Sequence, residues 1–186
     1  MNVLAVAGSL RAASINAAFC RAASRLAPPG LAVNLFRHLG SLPPFNPDLE
    51  QSPGPAIQEF RDLVGSADAL LIASPEYAHG MSGVMKNALD WLVSYEGFVG
   101  KPVAVVNTSP RAHHAYAALI EVLRTMSARL VTEASVTIPL LACCTTEEQM
   151  LNTAAVASQI RGALAALHSV LRFETRRGTS FATRLS

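Results

Sequence analysis

Short apolar runs alternate along the chain with longer segments of helical period. The runs are rich in Ala, Val, Leu and Ile, and the segments between them repeat apolar residues every three or four positions. This alternation is typical of a parallel sheet covered by helices on both faces, because each strand must be followed by a crossover. The pattern predicts five strands and five helices in one doubly wound α/β three-layer sandwich.

The predicted strands cover residues 3–7, 32–36, 69–73, 103–107 and 130–138. The predicted helices cover residues 14–26, a segment through Ile57, Phe60 and Val64, and residues 83–95, 114–126 and 146–171, with Thr145 or Thr146 capping the last. The Pro-rich stretch 42–55 predicts a surface loop. Residues 172–186 have no strong period, and we expect this C-terminal tail to be mobile or to pack on a partner subunit.

Length and charge limit the function classes. A chain of 186 residues with 51% hydrophobic and 15% charged residues suits one domain with one sizeable core. Its formal net charge is +2 and its basic residues are scattered, so no nucleic-acid partner is indicated. The apolar runs are shorter than the roughly 20 residues of a membrane span, and no charged leader precedes the first strand. We expect no membrane contact and a cytoplasmic location.

The cysteines and adjacent histidines do not indicate a metal. Cys20, Cys143 and Cys144 lack C-x-x-C spacing and predict free thiols in a reducing compartment. His113 and His114 are consecutive, so their side chains point in different directions, and no metal ligand set is expected.

The first loop that carries chemistry follows the first strand. Residues 8–16 read G-S-L-R-A-A-S-I-N and lead into the first helix, whose amino end attracts anions. Ser9, Ser14 and Asn16 add side-chain donors, and Arg11 adds charge. The loop predicts a phosphate site, but it is neither a dinucleotide fingerprint nor a P-loop. The alternative, that Ser14 only caps the helix while Arg11 is solvated, stays open.

Two more loops reach the same edge of the predicted sheet. After the third strand, residues 74–83 place Pro75 and two glycines around Tyr77 and His79, which offer flat polarisable surfaces. Residues 107–111 follow the fourth strand. In doubly wound sheets, ligands bind where loops converge at the carboxyl ends of strands. We expect the ligand where strands one, three and four deliver their loops.

The motifs G-S-x-R-x-x-S-x-N, P-E-Y and G-x-x-K-N-A-x-D-W resemble the NADPH-dependent FMN reductase family of flavodoxin-like flavoproteins, which includes quinone, azo-dye and chromate reductases. The resemblance covers about residues 1–171. It implies a flavodoxin-like fold with sheet order 2-1-3-4-5, one FMN per subunit, NADPH or NADH as electron donor, and a homodimer or homotetramer. We expect apolar helix surface, such as that around Trp91 and Leu92, to be available for subunit contact.

The family's roles carry over to matching positions. The resemblance assigns the phosphate to the first loop, the isoalloxazine ring to the second, and the ring or ribityl chain to the third. The residues so implied are Ser9, Arg11, Ser14, Ile15 and Asn16, then Pro75, Glu76, Tyr77, Ala78 and His79, then Ser109, Pro110 and Arg111. Lys86, Asn87, Asp90 and Trp91 match as well, but on a helix they suit packing, capping and subunit contact.

The chain departs from the family pattern in the second loop. Ala78 stands where relatives often carry Asn, Gly80 where they carry Ser, and Ser82 where they usually carry Pro. These changes leave the phosphate loop intact but remove a side-chain donor at position 78. Either His79 supplies a side-chain donor in place of residue 78, or it is a surface histidine without a role.

The resemblance implies an oxidoreductase that passes hydride from a nicotinamide to bound FMN and then to a quinone, azo compound, free flavin or similar acceptor. Hydride transfer requires no acid–base side chain, so no catalytic residue is named. One alternative is a flavodoxin-type electron carrier that does not oxidise NAD(P)H itself, although such carriers are usually strongly acidic. Another is a regulatory or structural protein in which the three loops no longer serve catalysis.

Overall fold

The computed structural model describes the backbone of residues 1–140 and 144–182 and the side chains of residues 1–140 and 144–174. The strands are β1 Asn2–Ala7, β2 Ala32–Phe36, β3 Ala69–Ala73, β4 Glu76–Tyr77, β5 Gly80–Met81, β6 Pro102–Val105 and β7 Arg129–Leu130. The helices are α1 Ile15–Leu26, α2 Pro55–Ser66, α3 Gly83–Asp90, α4 His113–Thr125, α5 Glu147–Asn152 and α6 Ala154–Ala182.

Five strands form one sheet in the order β2-β1-β3-β6-β7, and every neighbouring pair is parallel. Val3 pairs with Ala69 and Leu70 pairs with Val103, which sets β1, β3 and β6 side by side. This is the flavodoxin-like order, so the predicted fold class is confirmed. The winding reverses between β1 and β3, and the loops that follow these strands meet at one edge.

Both faces of the sheet are buried. Along β1, Val3 and Ala5 contribute to the hydrophobic cluster that contains Phe19 of α1 and residues of α6. Leu4 and Val6 contribute to the opposite cluster, with residues of α2, α3 and α4. The alternation of side chains along a strand therefore divides the interior into two layers.

The predicted fifth strand over residues 130–138 is wrong in extent. β7 contains only Arg129–Leu130, and a single later bridge joins Asn107 to Thr137. Ser135 explains the break, because its Oγ donates to the Val131 carbonyl and accepts the backbone N–H of Val105. A side chain thus takes the place of a backbone partner in the sheet.

Two helix predictions also need correction. α3 ends at Asp90, and the rest of the predicted helix consists of turns over residues 91–94 and of irregular backbone at residue 95. The predicted helix over residues 146–171 is two helices, separated at Thr153, whose backbone is extended. Thr146 caps α5 through a capping box with Gln149, as one of the two cap predictions expected.

The last helix is longer than predicted. α6 continues through residues 172–182 of the predicted tail, while residues 183–186 lie outside the described part of the chain. Its segment Ala154–Glu174, of mean hydropathy 1.2, is long and apolar enough to cross a membrane by length and composition. However, Ile160, Leu164 and Leu167 of this segment are buried in the core of the domain. The apolar face of α6 is therefore a packing surface.

The described cysteines are buried free thiols. Cys20 and Cys144 form no disulfide, and Cys143 lies outside the described residues. Complete burial raises the pKa of Cys20 to about 12. Because the thiolate is the reactive form, Cys20 is a packing residue.

Candidate functional site

The loops after β1, β3 and β6 surround a cavity of about 330 Å³ at the carboxyl edge of the sheet. This volume lies at the lower end of the range for small-molecule sites. Ten of the residues implied from the sequence line it, namely Ser9, Arg11, Ser14, Ile15, Asn16, Pro75, Glu76, Tyr77, Ser109 and Arg111. The structure thus brings parts of all three predicted loops to one place.

Three implied residues lie outside the cavity lining. Ala78 and His79 form the tip of a hairpin beyond Tyr77, and Pro110 is absent from the lining between Ser109 and Arg111. Four lining residues were missed from the sequence: Ala13, Ser74, Thr108 and Ala112. Ser74 and Thr108 lie shortly after the ends of β3 and β6. That position after a strand is the sequence signal by which these two lining residues could have been identified.

Gly8 lets the first two loops approach each other. Its backbone N–H donates to the Ala73 carbonyl at 2.8 Å, which carries the β1–β3 pairing into the loops. A β-carbon at this position would lie 2.4 Å from the Ser74 Oγ and 2.9 Å from the Ser74 Cβ. Only glycine allows this approach without displacing a neighbour.

The first loop presents donors at the start of α1. Ser14 is buried, and its Oγ accepts the N–H of Ala17 at 3.2 Å, so it caps the helix as the alternative interpretation expected. The N–H groups of Ile15 and Asn16 lie in the first turn, where a helix offers them no partner of its own. Arg11 is exposed, and within residues 1–140 and 144–174 its side chain forms no ion pair. Capping by Ser14 leaves these cationic and N–H donors available to an anion.

A buried hydrogen bond joins the first and third loops. The Thr108 Oγ1 donates to the Asn16 Oδ1 at 2.9 Å, and the two residues are only 5% and 6% exposed. Asn107 shapes the rest of the third loop, because its Oδ1 accepts the N–H of Ser109 and its Nδ2 donates to the Ala112 carbonyl. Asn16 therefore links loops through its side chain, a role that the sequence did not indicate.

The second loop contains a small antiparallel hairpin that the sequence did not predict. β4 and β5 pair Tyr77 with Gly80 across a two-residue turn of Ala78 and His79. Both turn residues are left-handed, with φ of 48° and 59°. A two-residue hairpin favours this conformation, although non-glycine residues adopt it at a cost. The hairpin directs Tyr77, which is 51% exposed, toward the mouth of the cavity.

Ser82 has a different role from the proline that relatives usually carry. It is 3% exposed, and its Oγ accepts the N–H of Met85 at 3.3 Å, so it caps α3. Gly80 needs no special conformation, since a β-carbon there would meet only the Tyr77 carbonyl at 3.7 Å. In this chain Ser82 therefore has a structural role as a helix cap, and nothing in the surroundings of position 80 requires glycine.

The K-N-A-x-D-W motif of α3 holds the Pro-rich loop. The Asn87 Oδ1 accepts the N–H of Phe45 at 2.7 Å, and its Nδ2 donates to the Pro43 carbonyl. The Trp91 Nε1 donates to the same carbonyl at 2.8 Å. Lys86 and Asp90 form an ion pair one turn apart. These contacts agree with the packing role expected for the motif.

The expected subunit contact through Trp91 and Leu92 needs correction. Both side chains are 1% exposed and belong to the core cluster beneath α3, so they are unavailable to a partner. The next residue, Val93, is 61% exposed.

Replacing Asn87 by alanine is expected to lower the free energy of unfolding by about 1–3 kcal/mol, because the N–H of Phe45 loses its acceptor. Ligand affinity at the cavity should stay unchanged, since Asn87 does not line it. Urea unfolding with ligand titration measures both quantities. Gln58→Ala, which removes only an exposed contact to Asp62, is the control. A stable Asn87→Ala variant would contradict the anchoring role.

Among residues 1–140 and 144–174, no three side chains of His, Cys, Asp or Glu are grouped so that they could hold a metal ion. The rings of His113 and His114 instead lie 4.1 Å apart, and His79 stacks on His114 at 4.4 Å. The described histidines at this edge thus contact one another.

Comparison with known proteins identifies similar chains. The family model of NADPH-dependent FMN reductases matches residues 1–141. An NAD(P)H-dependent FMN reductase of Pseudomonas aeruginosa is 40% identical over 112 residues, which cover 59% of this chain and 60% of that protein. A quinone reductase of Pseudomonas putida is 40% identical over 115 residues, with coverage of 60% and 61%. The matched part is thus about three fifths of these relatives' length.

A solved structure extends the similarity to most of the chain. The flavoenzyme NAD(P)H:(acceptor) oxidoreductase FerB of Paracoccus denitrificans superposes with a TM-score of 0.75 at 25% identity. The superposition covers 92% of this chain and 97% of that protein.

Proposed function

The chain belongs to the NADPH-dependent FMN reductase family, and on that premise we propose that it is an FMN-dependent NAD(P)H oxidoreductase. Hydride would pass from NADPH or NADH to bound FMN and then to a quinone, azo compound, free flavin or similar small acceptor. The observation that carries the proposal is the convergence of ten implied residues from three loops on one cavity.

The donor set at the cavity fits FMN. One end combines the N–H groups of Ile15 and Asn16 with the exposed guanidinium of Arg11, which suits a single phosphate dianion. The other end is bordered by Pro75, Glu76 and Tyr77, whose backbone would contact the polar edge of the ring. Ser109 and Arg111 close the third side. The lining thus combines donors for a phosphate with a flat side chain for a ring, as FMN requires.

The protein's own contribution is binding and orientation. Bound FMN supplies the hydride chemistry, and the protein positions it and tunes its potential. Arg11 and the first turn of α1 would fix the phosphate, while the second loop would fix the plane of the ring. Tyr77 is half exposed at the mouth of the cavity. There the oxidised nicotinamide would leave and a flat acceptor would take its place. A site that both partners enter in turn favours a ping-pong cycle.

Assembly and location belong to the same proposal. We propose a cytoplasmic location. We also propose a homodimer or homotetramer, as the family resemblance implies. The buried free thiols of Cys20 and Cys144 are consistent with a reducing compartment.

An anaerobic spectral titration tests the proposal. Protein loaded with FMN is mixed with NADPH or NADH in the absence of oxygen, and the flavin absorbance is followed. We expect near-stoichiometric bleaching, and recovery of the absorbance when a quinone is added. FMN with nicotinamide but without protein is the control. If neither NADPH nor NADH bleaches the flavin, the proposed reductase activity is refuted. FMN binding without bleaching would favour the electron carrier.

A further inference from the structure

One hydrogen bond joins the second loop to the helix after the third. The Glu76 Oε2 accepts the backbone N–H of Ala115, in the first turn of α4, at 2.9 Å. Ala112, which precedes α4, has no side chain that could cap it. The carboxylate of Glu76 therefore caps the helix from 39 residues earlier in the sequence. We call this contact the Glu76 cap.

A ring contact lies beside the Glu76 cap. His79, in the hairpin turn, stacks on His114 of α4 with ring centroids 4.4 Å apart and planes at 29°. The hairpin is thus held against α4 both at β4 and at its turn. Because Glu76 and Tyr77 also line the cavity, the position of α4 determines where this wall of the cavity lies.

The surroundings of Glu76 favour its ionised form. The N–H of Ala115 contributes most to lowering the pKa of Glu76 below its usual value of 4.5, and partial burial opposes it. Attraction to His114, the N–H of His114 and attraction to His79 lower the pKa further. The amino end of α4 also attracts a negative charge. At neutral pH Glu76 is therefore an anion that accepts hydrogen bonds and is unsuited to donate a proton.

We propose that Glu76 is a positioning residue, whose carboxylate holds the β4–β5 hairpin on α4 and so fixes the backbone of residues 75–77 along the cavity. The inference rests on the proposed function for the identity of the ligand, FMN. The Glu76 cap itself is a contact within the protein and does not require a ligand.

The first measurement is FMN binding at neutral pH. Glu76→Ala removes the acceptor, so the dissociation constant for FMN should rise at least about fivefold, and the visible circular dichroism of bound FMN should change as the ring shifts. Glu76→Gln keeps an acceptor oxygen of the same reach and should retain most of the affinity and the wild-type spectrum. Glu59→Ala, at an exposed glutamate on α2, is the matched control.

The second measurement is the pH dependence of thermal unfolding without FMN. A carboxyl whose folded pKa is lowered adds stability above its unfolded pKa, and that stability is lost as the pH falls through the folded value. Wild type should therefore be more stable than Glu76→Gln above the usual value of 4.5. The difference should shrink as the pH falls below 4.5 and vanish once the pH lies below the lowered folded pKa of Glu76. His79 and His114 are present in both proteins, so the difference between the two pH profiles reports on residue 76.

These measurements separate the possible results. Wild-type FMN affinity and spectrum in Glu76→Ala would overturn the positioning role, as would identical pH profiles for wild type and Glu76→Gln. If Glu76→Ala does not fold, the Glu76→Gln profile decides. If wild type does not bind FMN, the proposed function fails, while the profile of the flavin-free protein still decides whether the Glu76 cap exists.

Discussion

Replacing Arg11 by alanine is expected to weaken FMN binding by about 1.5–3 kcal/mol, a rise in the dissociation constant of about tenfold to 150-fold. Arg11 lines the cavity next to the first turn of α1 and forms no ion pair with the described residues. Its charge is therefore available to the phosphate. Quenching of flavin fluorescence on titration with protein measures the constant.

Two controls make this test specific. Riboflavin lacks the phosphate, so its affinity should be nearly the same for wild type and Arg11→Ala. Arg124→Ala removes an exposed arginine from the last turn of α4, at the opposite edge of the sheet, and should leave FMN binding unchanged. Equal loss of riboflavin and FMN affinity would place the phosphate away from Arg11.

Replacing Gly8 by alanine is expected to lower the free energy of unfolding by about 1–3 kcal/mol, the usual cost of overpacking. The new β-carbon would lie 2.4 Å from the Ser74 Oγ, so either Ser74 or the first loop must move. Both line the cavity, and FMN affinity should therefore fall together with stability. Urea unfolding and FMN titration of the same preparation measure the two effects.

Gly54→Ala is the matched control for this substitution, because Gly54 is also a glycine outside the helices and strands but has no atom within 4 Å of an added β-carbon. It should leave FMN binding unchanged and lower the free energy of unfolding by about 1 kcal/mol at most, because alanine is a poorer helix N-cap than glycine. A Gly8→Ala variant with wild-type stability and affinity would show that the two loops have more room than the structure gives them.

Much of the fold could be predicted from the sequence because its signals are local. The apolar runs of β1 and β3 are buried on both faces, so nearly every residue in them is hydrophobic. The phosphate loop could be located because it combines a strand end, small polar residues and a helix start in a few positions. The rule that parallel strands deliver their loops to one edge then predicted the convergence of the three loops.

The parts that could not be predicted depend on contacts between distant residues. The cap of α4 comes from Glu76, and the Asn16–Thr108 hydrogen bond joins residues 92 positions apart. β7 is short because the side chain of Ser135 takes a backbone partner. The hairpin was missed because Ala78 and His79 are not the residues that usually mark a left-handed turn.

The turn at Ala78 and His79 changes how position 78 should be compared among relatives. Asn tolerates a positive φ better than Ala does, so the Asn of the family pattern would suit this turn for a conformational reason that is independent of any flavin contact. Exchange between Asn and Ala at this position then alters the cost of forming the hairpin and leaves the cavity lining untouched. The residue at position 78 therefore acts on the backbone of the turn and not on the surface that a ligand would contact.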